Sequence, residues 1–149
     1  MQANRMSKEK HSVVAKKTIA ASREIIFDAW TKPEIMKSWY VGGKGVSNST
    51  VDLKVGGKYS NEMLIDHDGD GPKSYLHEGE YLEIKRPERL VFTWNSPFVK
   101  NTVVNVHLRE VDGGTEVTIT HQLEKAEDCA SHQGGWTFAL EGLDKLFSK

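Results

Sequence analysis

A single cysteine, Cys129, stands in a chain of 149 residues, so no internal disulfide can brace the fold. A lone thiol of this kind is more often a small side chain than a reactive group. Charge of one sign is also missing: 20 basic and 21 acidic side chains leave a formal net charge of -1. With no local Lys/Arg cluster either, the basic footprint of a nucleic-acid binder is excluded. No apolar run approaches the ~20 residues that cross a bilayer as a helix, so no membrane span is expected. The stretch Met1–Lys10 lacks the apolar core of a signal peptide, and cytoplasmic residence is the resulting expectation. Internal repeats, low-complexity linkers and a nucleophile with an adjacent base are absent from the sequence as well. What remains is 38% apolar and 28% charged, enough for one domain with a sizeable core. We expect a flexible polar tail over residues 1–10 and a single domain over 11–149.

The last thirty residues carry the clearest pattern. Glu116-Val-Thr-Ile-Thr-His121-Gln-Leu alternates apolar and polar side chains, as a half-buried strand does. After a short polar loop, Trp136, Leu140, Leu143 and Phe147 recur at the spacing of an amphipathic helix. A helix that ends a mostly β chain must bury that stripe on the sheet, and its bulk invites the sheet to curl around it.

Upstream, a first strand is predicted at about 12–19. Ser22 reads as an N-cap with Glu24 in the first turn, followed by an apolar face of Ile25, Ile26, Ala29 and Trp30. Pro33 opens a second short helix, with Ile35, Met36 and Trp39 as its buried candidates. From about residue 50 the chain reads as strand after strand. Val51, Leu53 and Val55 alternate up to a Gly56-Gly57 hairpin, and Tyr59, Asn61, Met63 and Ile65 then share a face. Further strands are predicted at 75–85, 90–94 and 102–111, the last closing through Asp112-Gly113-Gly114 onto Val117, Ile119 and His121.

That order, with those residues, resembles the activator of heat-shock-protein-90 ATPase homologue family of the START-like (helix-grip, SRPBCC) superfamily. The resemblance covers about residues 12–148. Its carriers are Ala21-Ser-Arg-Glu-Ile-Ile-Phe-Asp-Ala-Trp30-Thr-Lys-Pro-Glu34, Asp52-Leu-Lys-Val-Gly-Gly-Lys-Tyr59 and the run from Gly79 through Arg86-Pro87 to Trp94. Gly114-Thr-Glu-Val-Thr-Ile-Thr-His121 and His132-Gln-Gly-Gly-Trp136 complete them in order. The resemblance implies a single-domain α+β helix-grip fold: a curved seven-stranded antiparallel sheet around a long C-terminal helix, with two short helices after the first strand. It implies no single activity, since related branches bind lipids or act as cyclases. The eukaryotic co-chaperone carries a further N-terminal domain, whereas about ten polar residues precede the first strand here, so the resemblance transfers a fold better than a chaperone activity.

A helix gripped by a sheet suggests an interior cavity. Tyr59, Asn61 and Met63 would line it with Trp94, His121, His132 and Trp136, and Trp39 would sit near its mouth, beside a flexible Gly42–Gly45 rim. Tyr81 joins these candidates, although the strand at 75–85 is mixed on both faces and the pattern assigns no side to Tyr81 or Glu83. Aromatic walls with a few polar groups are how small-molecule sites are built, but stripes of this kind also occur in solid cores. Asn61 is the telling position, because a buried amide needs partners. His121 and His132 are open to two readings: an acid–base or metal-binding pair, or two side chains bonded to backbone at the strand–helix corner. Asp66-His-Asp68-Gly-Asp70-Gly71 opens like a calcium loop, yet position twelve falls on His77 where a Glu is required, and the run equally suits a hairpin.

Three functions are therefore carried forward: a non-enzymatic binder of a small apolar or aromatic ligand, a module with a chaperone or regulatory partner, and a cyclase- or hydrolase-like enzyme using the cavity histidines. The first ranks highest. No catalytic residue, metal or cofactor is assigned.

Overall fold

In β1 (His11–Ile19) the alternation buries Val13, Ala15 and Ile19 and turns Ser12, Val14, Lys16 and Thr18 outward. The computed structural model describes residues 11–39, 46–65, 71, 73–97 and 99–148. The expected flexible tail at 1–10, the Gly42–Gly45 rim and the acidic run Asp66–Asp70 lie outside the described residues.

Helix α1 (Arg23–Thr31) starts where Ser22 accepts a hydrogen bond from the Ile25 amide, with Glu24 in its first turn. Its buried arc runs from Ala29 through Ile26 and Trp30 to Phe27. Ile25, expected on that face, falls just beyond the arc and is 49% exposed. Phe27 is also held from outside, by the Arg86 guanidinium 5.3 Å from its ring centroid while the same group donates to Asp28 Oδ1 at 2.8 Å. Pro33 opens the four-residue helix α2 (Pro33–Met36), as expected. Met36 and Trp39 are buried and Ile35 is partly so.

Strand β2 (Val46–Val51) lies earlier than the sequence pattern suggested. The apparent alternation Val51–Leu53–Val55 is not a strand: residues 52–57 form a turn in which Gly57 donates to the Lys54 carbonyl at 2.8 Å, and Val55 is 66% exposed. Gly56, at φ 86, supplies the left-handed step that lets the chain enter β3 (Lys58–Ile65). Strands β4 (Lys73–Lys85), β5 (Arg89–Trp94), β6 (Thr102–Val111) and β7 (Gly114–Leu123) follow as an antiparallel meander. β1 closes the row beside β7, giving the order β1-β7-β6-β5-β4-β3-β2.

The mixed faces of β4 have a local cause. The β4–β5 register shifts between Tyr81 and Glu83, so one extra residue opposes β5 and the inward set changes parity. Tyr81 points into the core, Leu82 is exposed, and Glu83 pairs with Arg89 at 3.8 Å instead of facing the interior. Gly79 is required where β4 meets β5, because a Cβ there would lie 2.0 Å from the Thr93 carbonyl oxygen.

After a short 3-10 turn at Ala126–Asp128, helix α3 (Cys129–Phe147) crosses the concave face. It buries Trp136, Ala139, Leu140 and Leu143, with Leu146 and Phe147 partly covered. Burying a leucine side chain contributes about 2 kcal/mol. Gln133 donates to the Val14 carbonyl at 2.8 Å and Lys17 lies 3.9 Å from Asp144, so the helix also ties down the β1 edge. The result is an α+β helix-grip fold with one seven-stranded antiparallel sheet. No helix among the described residues is long and apolar enough to cross a membrane.

Candidate functional site

The inward face of β3 sets out the first half of the site. Tyr59, Asn61 and Met63 all point into the interior, as the alternation predicts. Tyr59 and Asn61 border a gap of about 10 Å³, together with Trp30, Met36, Tyr81, Leu90 and Phe92. A space of that size accepts roughly one water molecule. This gap lies between β3–β5 and the two short helices, and none of its described lining residues is on α3. Tyr59 packs on Phe92 with ring centroids 5.3 Å apart and on Tyr81 at 5.5 Å, and its hydroxyl donates to the Thr93 carbonyl at 2.6 Å. Burial pushes the Tyr81 phenol pKa up, so that group stays neutral.

Asn61 is the polar exception in this wall. It is 1% exposed; its Oδ1 accepts from the Ser49 hydroxyl, while its Nδ2 finds no hydrogen-bond partner among the described residues. His77 stands directly across the β3–β4 ladder from Asn61. It is 8% exposed, and its Nδ1 likewise finds no partner among the described residues. Burial pushes the His77 pKa down to about 4, and His132 acts in the same direction, so the ring is neutral at pH 7.

The second half of the site is a chain of bonds around His121, which is fully buried. The indole Nε1 of Trp136 donates to His121 Nδ1 at 3.0 Å. An indole can only donate, so Nδ1 is unprotonated and the proton of the neutral ring sits on Nε2. That Nε2–H then donates to Thr102 Oγ1 at 2.9 Å, and Thr102 donates to the Trp94 carbonyl at 2.7 Å. Burial pushes the His121 pKa down to about 3, with His132 adding to the effect, which agrees with the neutral tautomer. A hydroxyl beside an imidazole is the outline of an activated nucleophile, but here the imidazole donates to the hydroxyl and cannot take its proton. His132 Nδ1 donates to the Asp128 carbonyl at 2.8 Å, one turn back along α3.

The structure thus brings Trp94, His121, His132 and Trp136 together. Trp94 and Trp136 lie 5.1 Å apart, as do His121 and His132. Tyr59, Asn61 and Tyr81 gather at the gap, whereas Met63 is buried without bordering it. Trp39 is not near a mouth. It is fully buried, donates to the Ala29 carbonyl at 2.9 Å and meets Trp30 edge-on at 4.8 Å, because α2 turns it back under α1. Sequence reasoning missed Trp30, Thr102 and above all His77, whose ring lies 4.6 Å from Trp94. His77 lies on the inward row of β4 with Tyr81, but the bulge between Tyr81 and Glu83 mixes both faces of that strand, so no period-two signal marks its side. No group of three or more metal-ligating side chains occurs among the described residues.

Comparison with known proteins agrees with this architecture. The family described as Activator of Hsp90 ATPase homolog 1-like protein matches residues 20–148. No curated protein matches the chain. An AHSA1-like protein from Aeromonas hydrophila, solved in solution, is 25% identical, with a TM-score of 0.78 over 91% of this chain and 90% of that one. A protein from Chromobacterium violaceum is 21% identical, with a TM-score of 0.81 over 93% of this chain and 98% of that one. A protein of unknown function from Staphylococcus aureus is 23% identical, with a TM-score of 0.75 over 93% and 94% of the two chains. The last two likenesses concern the fold alone.

Proposed function

The chain belongs to the Activator of Hsp90 ATPase homolog 1-like protein family, and from that premise we propose that it is a non-enzymatic binding domain for a small, mainly apolar or aromatic ligand held on the inner face of the sheet, beneath the two short helices. The observation that carries this reading is Asn61: a fully buried amide with an unpartnered donor, set in an otherwise apolar and aromatic wall at the edge of a gap. A core selected only for packing has no use for such a group, because an unsatisfied buried donor costs about 1–3 kcal/mol. A binding site does, since a few polar groups orient the ligand.

A gap of about 10 Å³ is too small for a drug-sized molecule, so the ligand enters by widening the interior. Met36 is the lining side chain best suited to yield, being unbranched and carried on the short α2. The direction of the His121 bonds favours binding over acid–base catalysis. A chaperone or regulatory partner is supported by the family description alone, and a pull-down at low salt that recovers a chaperone would raise it.

The reading is tested by native mass spectrometry of protein purified from its own host and by an NMR screen of hydrophobic fragments. A bound species, and amide shifts centred on residues 59–61, 77–81 and 92–94, are expected. No bound species and no shifts there would overturn it.

A further inference from the structure

We propose that Asn61 is the polar anchor of this interior and that the ligand it takes is an uncharged ring compound bearing a carbonyl oxygen. This rests on the binding reading above and specifies the chemistry of the same site.

The geometry of the amide sets the polarity. In the structure Ser49 donates to Oδ1, and Nδ2 is left as a donor without a partner among the described residues. A donor calls for an acceptor. The space at Asn61 is about 10 Å³, which fits one oxygen atom or one water, not a bulky polar head. The acceptor is therefore small and carried on a body that the surrounding rings can cover. Trp30, Tyr59, Tyr81 and Phe92 provide flat faces and edges for such a body, and offset or edge-on ring contacts are their preferred geometry.

Charge separates a carbonyl from a carboxylate. Among the described residues, none that borders the gap is charged. His77, directly across the ladder from Asn61, is kept neutral at pH 7 by its burial, and burial keeps the Tyr81 phenol at the gap neutral as well. A carboxylate placed here would lose its hydration without gaining a counter-charge, which is far more unfavourable than burying a neutral acceptor that receives a hydrogen bond. His77 Nδ1 lies on the same inward row and offers a second polar contact to a ligand that reaches that far.

Three probes of similar bulk test this: 1-tetralone, its hydrocarbon tetralin, and 1-naphthoate. Their affinities are measured at pH 7 by tryptophan fluorescence and amide shift mapping, on the native sequence and on Asn61→Leu. That variant removes the orphan donor at similar volume, and a melting curve checks that it is folded. We expect tetralone to bind about tenfold more tightly than tetralin, the worth of one buried hydrogen bond, and that advantage to vanish in Asn61→Leu. On the native protein alone, the 13C signal of labelled tetralone carbonyl should move downfield of its position in cyclohexane. Equal affinity for tetralone and tetralin, with an unshifted carbonyl, would overturn the anchor and leave the binding reading intact. Tighter binding of naphthoate than of tetralone would overturn the uncharged class. Failure of all three probes, together with no bound species in the host-derived protein, would remove the binding reading itself.

Discussion

Where β1 ends and β7 begins, the interior is dry: Ile19 and Val117 are fully buried, Leu108 pairs with Val117 across the β6–β7 ladder, and Leu143 covers the same core from α3. Four residues further along β7, about 13 Å away, the same inward face presents His121 bonded to Trp136 and Thr102, with Trp94, His77 and Asn61 on the strands beyond. One end is filled mainly by aliphatic side chains, and its one polar neighbour named in that ladder, Thr115, is satisfied by the Ala21 carbonyl at 2.7 Å. The other buries hydrogen-bonding groups whose partners must be correct, and leaves Asn61 Nδ2 and His77 Nδ1 without a partner among the described residues. An interior built only for stability would repeat the first solution along its whole length. The contrast gathers the buried hydrogen-bonding groups at one end of the grip.

Acid should separate the two ends most sharply. His77 and His121 have folded-state pKa values near 4 and 3, against 6.5 when exposed. Both are neutral in the folded protein, so below about pH 6.5 the unfolded chain binds more protons and stability falls as pH falls. The stabilisation is complete above about pH 6.5 and is lost progressively toward pH 4 and then pH 3. At about 1.4 kcal/mol per pKa unit, the loss by pH 4 amounts to several kcal/mol. Denaturant unfolding between pH 7.5 and pH 4 measures it. His121→Gln, which cannot titrate, should remove roughly half of the slope between pH 6 and pH 4.5. Retention of the full slope would mean that His121 is not part of its source.

At the dry end the expected response is independent of pH. Leu143→Ala should destabilise by about 2–5 kcal/mol, since a fully buried side chain leaves a cavity that its neighbours fill only in part. A loss of 3 kcal/mol would lower the melting temperature by roughly 10 °C in a domain of this size. The whole pH–stability curve should move down with unchanged shape. A smaller effect follows from Thr102→Val, which keeps shape but deprives His121 Nε2–H of its acceptor and the Trp94 carbonyl of a donor. The expected loss is about 1–3 kcal/mol, with a clear shift of the His121 imidazole nitrogens by NMR.

Those differences also mark how far the sequence could be read. β6 and β7 were legible because their alternation runs unbroken over seven and ten residues, and α3 because its apolar residues recur at helical spacing. β2 was misplaced because Leu53 and Val55 imitate a strand inside a turn, where backbone bonds among residues 52–58 decide the conformation. The side of Tyr81 was hidden by a bulge, which no period-two pattern can show. Asn61 and His121 were recognisable as inward polar residues from parity alone. Their chemistry was not, because it depends on partners 12 to 19 residues away in sequence: Ser49 for Asn61, Trp136 and Thr102 for His121. His77 was missed as a site residue for the same reason, since its meaning lies in facing Asn61 across the ladder.

The smallest predicted effect asks whether the polar end is loosened along the helix as well as within the sheet. The first half of α3 contains Gly134 and Gly135, and its N-cap Asp128 makes no side-chain cap bond, whereas the second half is anchored by Leu140 and Leu143. Both glycines are exposed, and a Cβ added at either would meet no atom within 4 Å. Gly135→Ala should therefore stabilise the protein by about 0.5–1 kcal/mol through helix propensity alone. If the polar end opens locally, the gain should be concentrated there: hydrogen exchange should slow at the amides of residues 131–136 and at the Trp136 indole, and stay unchanged at 140–146. Uniform slowing along the helix would mean that α3 opens as one unit, and that the contrast between the two ends belongs to the sheet and its side chains. Slowing confined to the first half, with slower association of 1-tetralone, would make the glycine pair part of how the interior admits a ligand.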